Sequence, residues 1–349
     1  METASRNDAD QSHRVTFRFE DGLEKQVIVR MSEFVLDAAL RQDVPLVHQC
    51  RSGSCSTCVA QIMGGEIEMT RARATSLIAA EAAEGKRLLC SAHALADSVV
   101  RLSYPSTLIY ESAPRVLSVS VASLEWPVPS VAKLSVEIAA DHDFDFRGGQ
   151  YLRMRVPQTE EWRSYSMASL PRDLPRLDFL VRIINGGAMS EYLRTRCRPG
   201  DAVEIEGPRG AFFLRPSRAA HVFVAGGTGL APILSIIDEI RRRPGAKPPM
   251  TLSFGCASDG QFFYRDEVEL RGWWMPSLKL ILSADRVDDP HSGLITGTPV
   301  AALGDNRIDD PETVAYLCGP PPMIAAARQR LIQLGLKPER IYAENFVAS

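Results

Sequence analysis

Cys50-Arg-Ser-Gly-Ser-Cys55-Ser-Thr-Cys58, with Cys90 much later, constrains this chain more than any other stretch. Three cysteines so close together are more than packing residues. The residues between them are small (Ser52, Gly53, Ser54, Ser56, Thr57). Such a loop can wrap closely round a metal centre while its backbone N–H groups point at the sulfurs. The spacing C-x4-C-x2-C with a distant fourth cysteine is that of a [2Fe–2S] site. Cys55 and Cys58 are also a zinc half-site, but zinc ligands usually come as two such pairs, and Cys90 has no near partner. A Rieske centre would draw on His48 or His93, yet four cysteines already fill the ligand set. Those two histidines read as surface or packing residues. The cysteine total of 7 is odd, so a disulfide framework is not expected and metal or redox chemistry is.

At 349 residues the chain has room for two or three domains. Apolar residues make up 45% and charged residues 24%, which excludes a disordered, collagen-like or coiled-coil chain. A net charge of -3 gives no general pull toward nucleic acid or anionic lipid. Residues 1–12 are polar, with no basic region followed by an apolar core, so no secretory signal is expected. The most apolar run, 222–237, is short for a membrane span and carries Gly226, Gly227, Thr228, Gly229 and Pro232. It reads as strand-turn-helix. Neither nucleic acid nor membrane is expected as a partner, and the cytoplasm is the expected compartment.

Before the cysteine loop, Val15 to Phe19 alternates, Asp21-Gly22 turns, and Gln26 to Val29 alternates again, a hairpin signal. Ser32 is the expected N-cap of a helix whose apolar stripe is Phe34, Leu36, Ala39 and Leu40. With its cysteines, this region resembles a plant-type ferredoxin, an α+β (β-grasp-like) domain expected over 13–104, with Cys50, Cys55, Cys58 and Cys90 as ligands. Its acids and bases nearly balance, unlike the strongly acidic docking faces of plant ferredoxins. Residues 105–113 read as a linker.

Short strand signals separated by glycine and proline turns follow, and predict an antiparallel β-barrel over 114–216. Arg163-Ser164-Tyr165-Ser166 sits on one of these strands, with Arg163 and Tyr165 sharing a face. A cation beside an aromatic suits a phosphate-bearing ring ligand; alone, the segment reads equally as a strand with an exposed arginine. Gly186 and Gly187 lead into a helix bearing Met189 and Ser190. Its N-terminus suits a pyrophosphate, or is an ordinary capped helix. The two segments, in this order, resemble the flavin domain of the ferredoxin–NADP reductase superfamily. That resemblance implies FAD held by Arg163, Ser164, Tyr165 and Ser166, with Gly187, Met189 and Ser190 at the pyrophosphate. Ser166 would lie beside the flavin N5.

From about residue 217 the chain alternates strand and helix, predicting a parallel α/β nucleotide-binding domain to 349. Gly226-Gly227-Thr228-Gly229 lies at a strand end, where ligands bind such sheets, but is not the G-x-G-x-x-G fingerprint. Cys318-Gly319-Pro320-Pro321-Pro322 is more distinctive: a strand meets a proline-started helix with one thiol at the junction. The same resemblance puts Cys318 near the nicotinamide C4, with Gly229 to Pro232, Gly319 and Pro320 contributing to the pocket. It also places Glu344 and Phe346 against the flavin. Cys318, Ser166 and Glu344 are the expected catalytic residues. Asp259 offers an acid after the second strand, with no base until Arg265, which favours NADH over NADPH. Tyr264 stacks on adenine or starts the next helix. Cys197 and Cys256 read as structural.

Over its full length the chain resembles the reductase components of multicomponent aromatic-ring-hydroxylating dioxygenases. The resemblance implies electron flow from NADH to FAD to [2Fe–2S] to a Rieske oxygenase component. Similar reductases serve soluble diiron monooxygenases, which is the alternative. A redox sensor holding both cofactors without turnover is a third reading, weakened by the intact Cys318, Arg163 and glycine turn.

Overall fold

The computed structural model describes residues 11–70, 76–111, 114–139 and 142–346. The chain divides into two compact units, 1–113 and 114–349.

In the first unit, β1 (Ser12–Arg18) and β2 (Glu24–Arg30) form the expected antiparallel hairpin. The sheet is completed by β3 (Val59–Gly64), β5 (Lys86–Leu88) and β7 (Ser98–Arg101), in the order β2-β1-β7-β3-β5. A small ribbon pairs β4 (Ile67–Met69) with β6 (Ala92–Ala94). α1 (Val35–Arg41) and α2 (Ala79–Ala83) are the helices before Cys90. Alternate residues of the hairpin, Val15, Phe17, Val27 and Val29, point inward with Leu36 and Ala39 of α1. Edge strand β2 is blunted where Gln42 and Arg41 engage the backbone of Ile28.

Two expectations fail here. Ser32 does not cap α1; the helix starts at Val35 after Phe34, which has extended backbone. The ring of Phe34 packs on His93 at 4.5 Å, so a tertiary contact draws the entry two residues later. The segment read as a linker is also folded. α3 (Thr107–Tyr110) buries Leu108 and Ile109, and Ser106 hydrogen-bonds Asp21 through both its N–H and its hydroxyl. Residues 105–111 thus belong to the first unit, while the rest of that segment, 112 and 113, lies outside the described residues.

The second unit opens with six antiparallel strands: β8 (Arg115–Val128), β9 (Val131–Ile138), β10 (Tyr151–Arg155), β11 (Trp162–Ser166), β12 (Arg176–Arg182) and β13 (Ala202–Arg209). Their order is β11-β10-β13-β8-β9-β12. α4 (Ala188–Thr195) covers part of the barrel and contributes Met189, Tyr192 and Leu193 to its core.

A six-stranded sheet follows, parallel throughout, in the order β17-β16-β15-β14-β18-β19. Its strands are β14 (His221–Gly226), β15 (Met250–Ser258), β16 (Leu278–Arg286), β17 (Ile295–Thr296), β18 (Val314–Gly319) and β19 (Ile341–Asn345). Its helices are α5 (Leu230–Arg242), α6 (Arg265–Trp274) and α7 (Pro321–Gln333). Both faces are covered, as a parallel sheet requires. Phe223, Ala225, Tyr316 and Cys318 pack with α5, while Val224, Ala315 and Leu317 pack with α7. The barrel meets α5 directly: Ser235 Oγ donates to the Ser169 carbonyl at 2.7 Å, and Gly149 lies against Ile236.

His221 opens β14 in this core, edge-on to Phe223 and Tyr316, and its Nδ1 has no hydrogen-bond partner. Burial holds its pKa below the ordinary value, with the Arg243 charge adding to the effect. The unfolded chain therefore takes up this proton first. The associated stability is complete above the unfolded value of 6.5 and falls as pH drops toward the lower folded pKa. Thermal unfolding between pH 7.5 and about pH 5.5 should show a steeper fall for the wild type than for His221→Phe. Parallel slopes would show that His221 carries none of the acid sensitivity.

Candidate functional site

The cysteine loop follows α1 and a turn, and is built on strained backbone. Arg51, Gly53 and Ser56 have φ of 54°, 81° and 60°. Only Gly53 adopts that region without steric cost, so the other two must be held by their surroundings. The four thiols form two hydrogen-bonded pairs, Cys50 with Cys55 and Cys58 with Cys90. The bond from Cys55, with further donors at Ser52 and Ser54, lowers the Cys50 pKa to about 3. That same bond and burial raise Cys55. Cys58 is raised by its bond to Cys90 and by burial, and Cys90 is lowered by Cys58. The backbone N–H groups of Ser52 and Ser54 each reach Cys50 Sγ at 3.4 Å. Among the described residues no three His, Cys, Asp or Glu donors converge on one point. One tetrahedral zinc ion needs such convergence, whereas a binuclear cluster takes two thiolates on each iron. The pairing and the N–H donors fit a [2Fe–2S] cluster.

In the second unit, Arg163 and Tyr165 share a face of β11, close enough for the guanidinium charge to act on the phenol. Burial raises the Tyr165 pKa against that charge. The Arg163 guanidinium lies against Glu161 at 2.5 Å, so a bound phosphate would have to compete for it. Ser164 sits across from Arg153 in the ladder. At α4, Gly186 takes a φ of 74° and Gly187 is the N-cap. Ser190 Oγ accepts the Ile184 N–H at 2.9 Å and keeps its own proton to donate. Met189 departs from expectation: its side chain lies in the barrel core, which leaves only its backbone N–H for a ligand. A basic and aromatic strand face beside a helix N-terminus fits a flavin nucleotide.

The three expected catalytic residues meet. Ser166 Oγ donates to Glu344 Oε2 at 3.1 Å across 178 positions of sequence. Cys318 and Glu344 are register partners on β18 and β19. Burial raises the Cys318 pKa, and the Glu344 charge raises it further. Burial also lifts the Glu344 carboxyl to about 8, against the opposing bond from Ser166. Phe346 donates its N–H to the Gly319 carbonyl at 2.8 Å and packs on the same core.

The glycines divide by task. A Cβ on Gly229 would lie 2.3 Å from the Cys318 carbonyl oxygen, and one on Gly226 would lie 2.6 Å from Met323 Sδ. Gly229 lets the turn after β14 lie against the end of β18, and Gly226 makes room for Met323 of α7. Gly227, with φ 54° and open space around it, is the one a ligand can approach. Thr228 and Pro232 are buried, Gly319 has a φ of 153°, and Pro320 is the exposed N-cap of α7. Pro232 sits in the first turn of α5, where a missing N–H costs nothing.

Around Asp259 the fold brings together residues that spacing could not. Asp259 accepts the N–H groups of Asp288 and Asp289, both at 2.8 Å, so its carboxylate pins the next loop. Arg286, invisible to a reading along the chain, pairs in register with Ser258. Tyr264 is the N-cap of α6 in left-handed backbone, with φ 58°. Cys256 is buried: the N–H groups of Gly227 and Phe263 point at its sulfur, while burial raises its pKa to about 12. Cys197 is buried in the barrel beside Tyr192. A cavity of about 670 Å³ lined by Arg155, Tyr192, Arg196 and Glu204 holds none of the expected site residues.

Three families match in chain order. Residues 19–95 match the 2Fe-2S iron-sulfur cluster binding domain, 121–214 the oxidoreductase FAD-binding domain, and 223–329 the oxidoreductase NAD-binding domain. The toluate 1,2-dioxygenase electron transfer component of Pseudomonas putida is 30% identical, over 97% of this chain and 99% of that one. The anthranilate 1,2-dioxygenase electron transfer component of Acinetobacter baylyi is 31% identical, over 97% and 98%. The propane 2-monooxygenase reductase component of Mycolicibacterium smegmatis is 30% identical over the same shares. Among solved structures, the Amycolatopsis cytochrome P450 reductase GcoB aligns with a TM-score of 0.68 and 26% identity, over 95% of this chain and 98% of that one. No helix among the described residues is long and apolar enough to cross a membrane. The chain is an oxidoreductase that uses NADH, FAD and a [2Fe–2S] cluster, and it belongs to the family of iron–sulfur flavoprotein reductases that serve as electron-transfer components of oxygenase systems.

Proposed function

We propose that this reductase delivers electrons from NADH to the oxygenase component of an aromatic-ring-hydroxylating dioxygenase system in the cytoplasm. The observation that carries the partner is full-length similarity, at 30% and 31% identity, to relatives named for toluate and anthranilate dioxygenases. When bound, FAD supplies the exchange between two-electron hydride chemistry and one-electron cluster chemistry. The chain's residues prepare that exchange. Arg163, now paired with Glu161, would be available to the FAD phosphate, and Tyr165 would pack against the bound group. The α4 N-terminus, with Gly187, the Met189 N–H and the Ser190 hydroxyl, takes the pyrophosphate. Ser166 and Glu344, hydrogen-bonded to each other, would present polar groups to a bound flavin. Cys318 stands on the nicotinamide side, where a neutral, buried thiol excludes water. Gly227 and Thr228 receive the coenzyme phosphates. Cys50, Cys55, Cys58 and Cys90 hold the cluster.

A reductase of a soluble diiron monooxygenase is kept as a second reading, because relatives named for propane and phenol 2-monooxygenases are 30% and 31% identical. Reconstitution decides between them. The purified protein, NADH and a Rieske dioxygenase should give coupled NADH oxidation and hydroxylated product. Coupling only with a diiron hydroxylase would overturn the first reading. Flavin and cluster absorbance unchanged by anaerobic NADH would overturn both.

A further inference from the structure

We infer that Ser76 is a positioning residue for the iron–sulfur loop, clamping the Gly53–Ser54 peptide so that its flanking N–H groups reach one sulfur of each cysteine pair. The inference rests on the assignment of the cluster to Cys50, Cys55, Cys58 and Cys90.

Ser76 lies outside the cysteine motif, yet donates twice to the Gly53 carbonyl, through its N–H at 3.0 Å and its hydroxyl at 2.9 Å. Ser56, inside the loop, returns the contact: its hydroxyl donates to the Ser76 carbonyl at 3.2 Å. The Gly53 carbonyl shares its peptide with the Ser54 N–H, which donates to Cys50 Sγ at 3.4 Å. The Gly53 N–H reaches the Cys90 sulfur. One side chain thus governs a donor to each pair. Ser56, one of the two loop residues it engages, carries left-handed backbone at a steric cost, so the loop needs an outside hold.

Two donors on one carbonyl polarise its peptide and strengthen the N–H bond on the other side. N–H donors to cluster sulfurs favour the reduced form, whose sulfurs carry more negative charge. Removing the Ser76 hydroxyl leaves the backbone bond and weakens this support, so the reduced cluster loses stability relative to the oxidised one.

The test uses the full chain with its cofactors, as wild type, Ser76→Ala and Ser76→Thr. Iron content is measured first, then the midpoint potential by redox titration followed by EPR. Ser76→Ala should keep its iron while its flavin–cluster equilibrium shifts about threefold against the cluster, about 30 mV more negative at 59 mV per tenfold. Ser76→Thr, which keeps the hydroxyl, should return the wild-type midpoint. An iron-loaded Ser76→Ala with the wild-type midpoint overturns the inference alone. If Ser76→Ala holds no cluster, a loaded Ser76→Thr with the wild-type midpoint supports the clamp, and an empty one overturns it. Iron without a [2Fe–2S] signal in the wild type overturns the cluster assignment and the inference with it.

Discussion

Cys55→Ser is expected to abolish electron delivery to one-electron protein acceptors while leaving NADH-to-dye activity intact. Cys55 is 6% exposed and hydrogen-bonded to Cys50. Serine offers a harder oxygen whose proton is far more difficult to remove, so a cluster held by these four cysteines would lose one of its protein ligands. Changes to groups that merely orient ligands already cost 10–100-fold, so loss of a ligand should lower cytochrome c or oxygenase reduction by at least about 100-fold. The core of the first unit, built on Val15, Phe17, Leu36 and Leu88, does not include this thiol among its largest buried side chains. The FAD-binding match lies in the second compact unit, so hydride transfer to flavin, read with ferricyanide, should persist. Cys197→Ser is the control: that thiol lies in the barrel core and its loss should leave the cluster EPR signal unchanged. Wild-type cytochrome reduction by Cys55→Ser would show that electrons leave from the flavin and bypass the cluster.

Gly229→Ala and Gly227→Ala, two positions apart, should fail differently. At Gly229 the new methyl would lie 2.3 Å from the Cys318 carbonyl oxygen and 2.9 Å from the Gly319 nitrogen. Both are backbone atoms and cannot swing aside. Overpacking of this kind costs about 1–3 kcal/mol, and the upper end is expected here because the chain itself must move. The shift is transmitted to Cys318, and a displacement near 1 Å at a reacting centre lowers turnover about 100-fold. A lower unfolding temperature and a lower rate of flavin reduction by NADH should appear together. Gly227→Ala meets no atom within 4 Å and pays only for left-handed backbone, about 1–2 kcal/mol. Its methyl points into the space a coenzyme phosphate would enter, so KM for NADH should rise with kcat nearly unchanged. Wild-type stability in Gly229→Ala would contradict the close approach of the turn after β14 to the end of β18.

The contrast between these glycines shows where reading along the chain stops. Gly226 to Gly229 looked like one ligand-approach turn, but only the folded chain shows two of them yielding to Met323 and Cys318. Ser32 carried a sound capping signal, and the Phe34–His93 contact overrode it. Residues 105–111 read as a linker because Leu108 and Ile109 are too few to form a periodic pattern, though they suffice to bury one helical turn. Asp259 was noted as a free acid, yet its hydrogen bonds reach residues 29 and 30 positions away.

The three domain types and the cofactors were legible in the amino acids, because cysteine spacing, strand alternation and the β/α period are local properties of a chain. The meeting of Ser166, Glu344 and Cys318, the register that sets Arg286 beside Ser258, and the clamp of Ser76 on Gly53 came only with the fold. Each joins residues from different elements, and such contacts are fixed by sheet register and core packing, which leave no trace in the spacing of the residues they bring together.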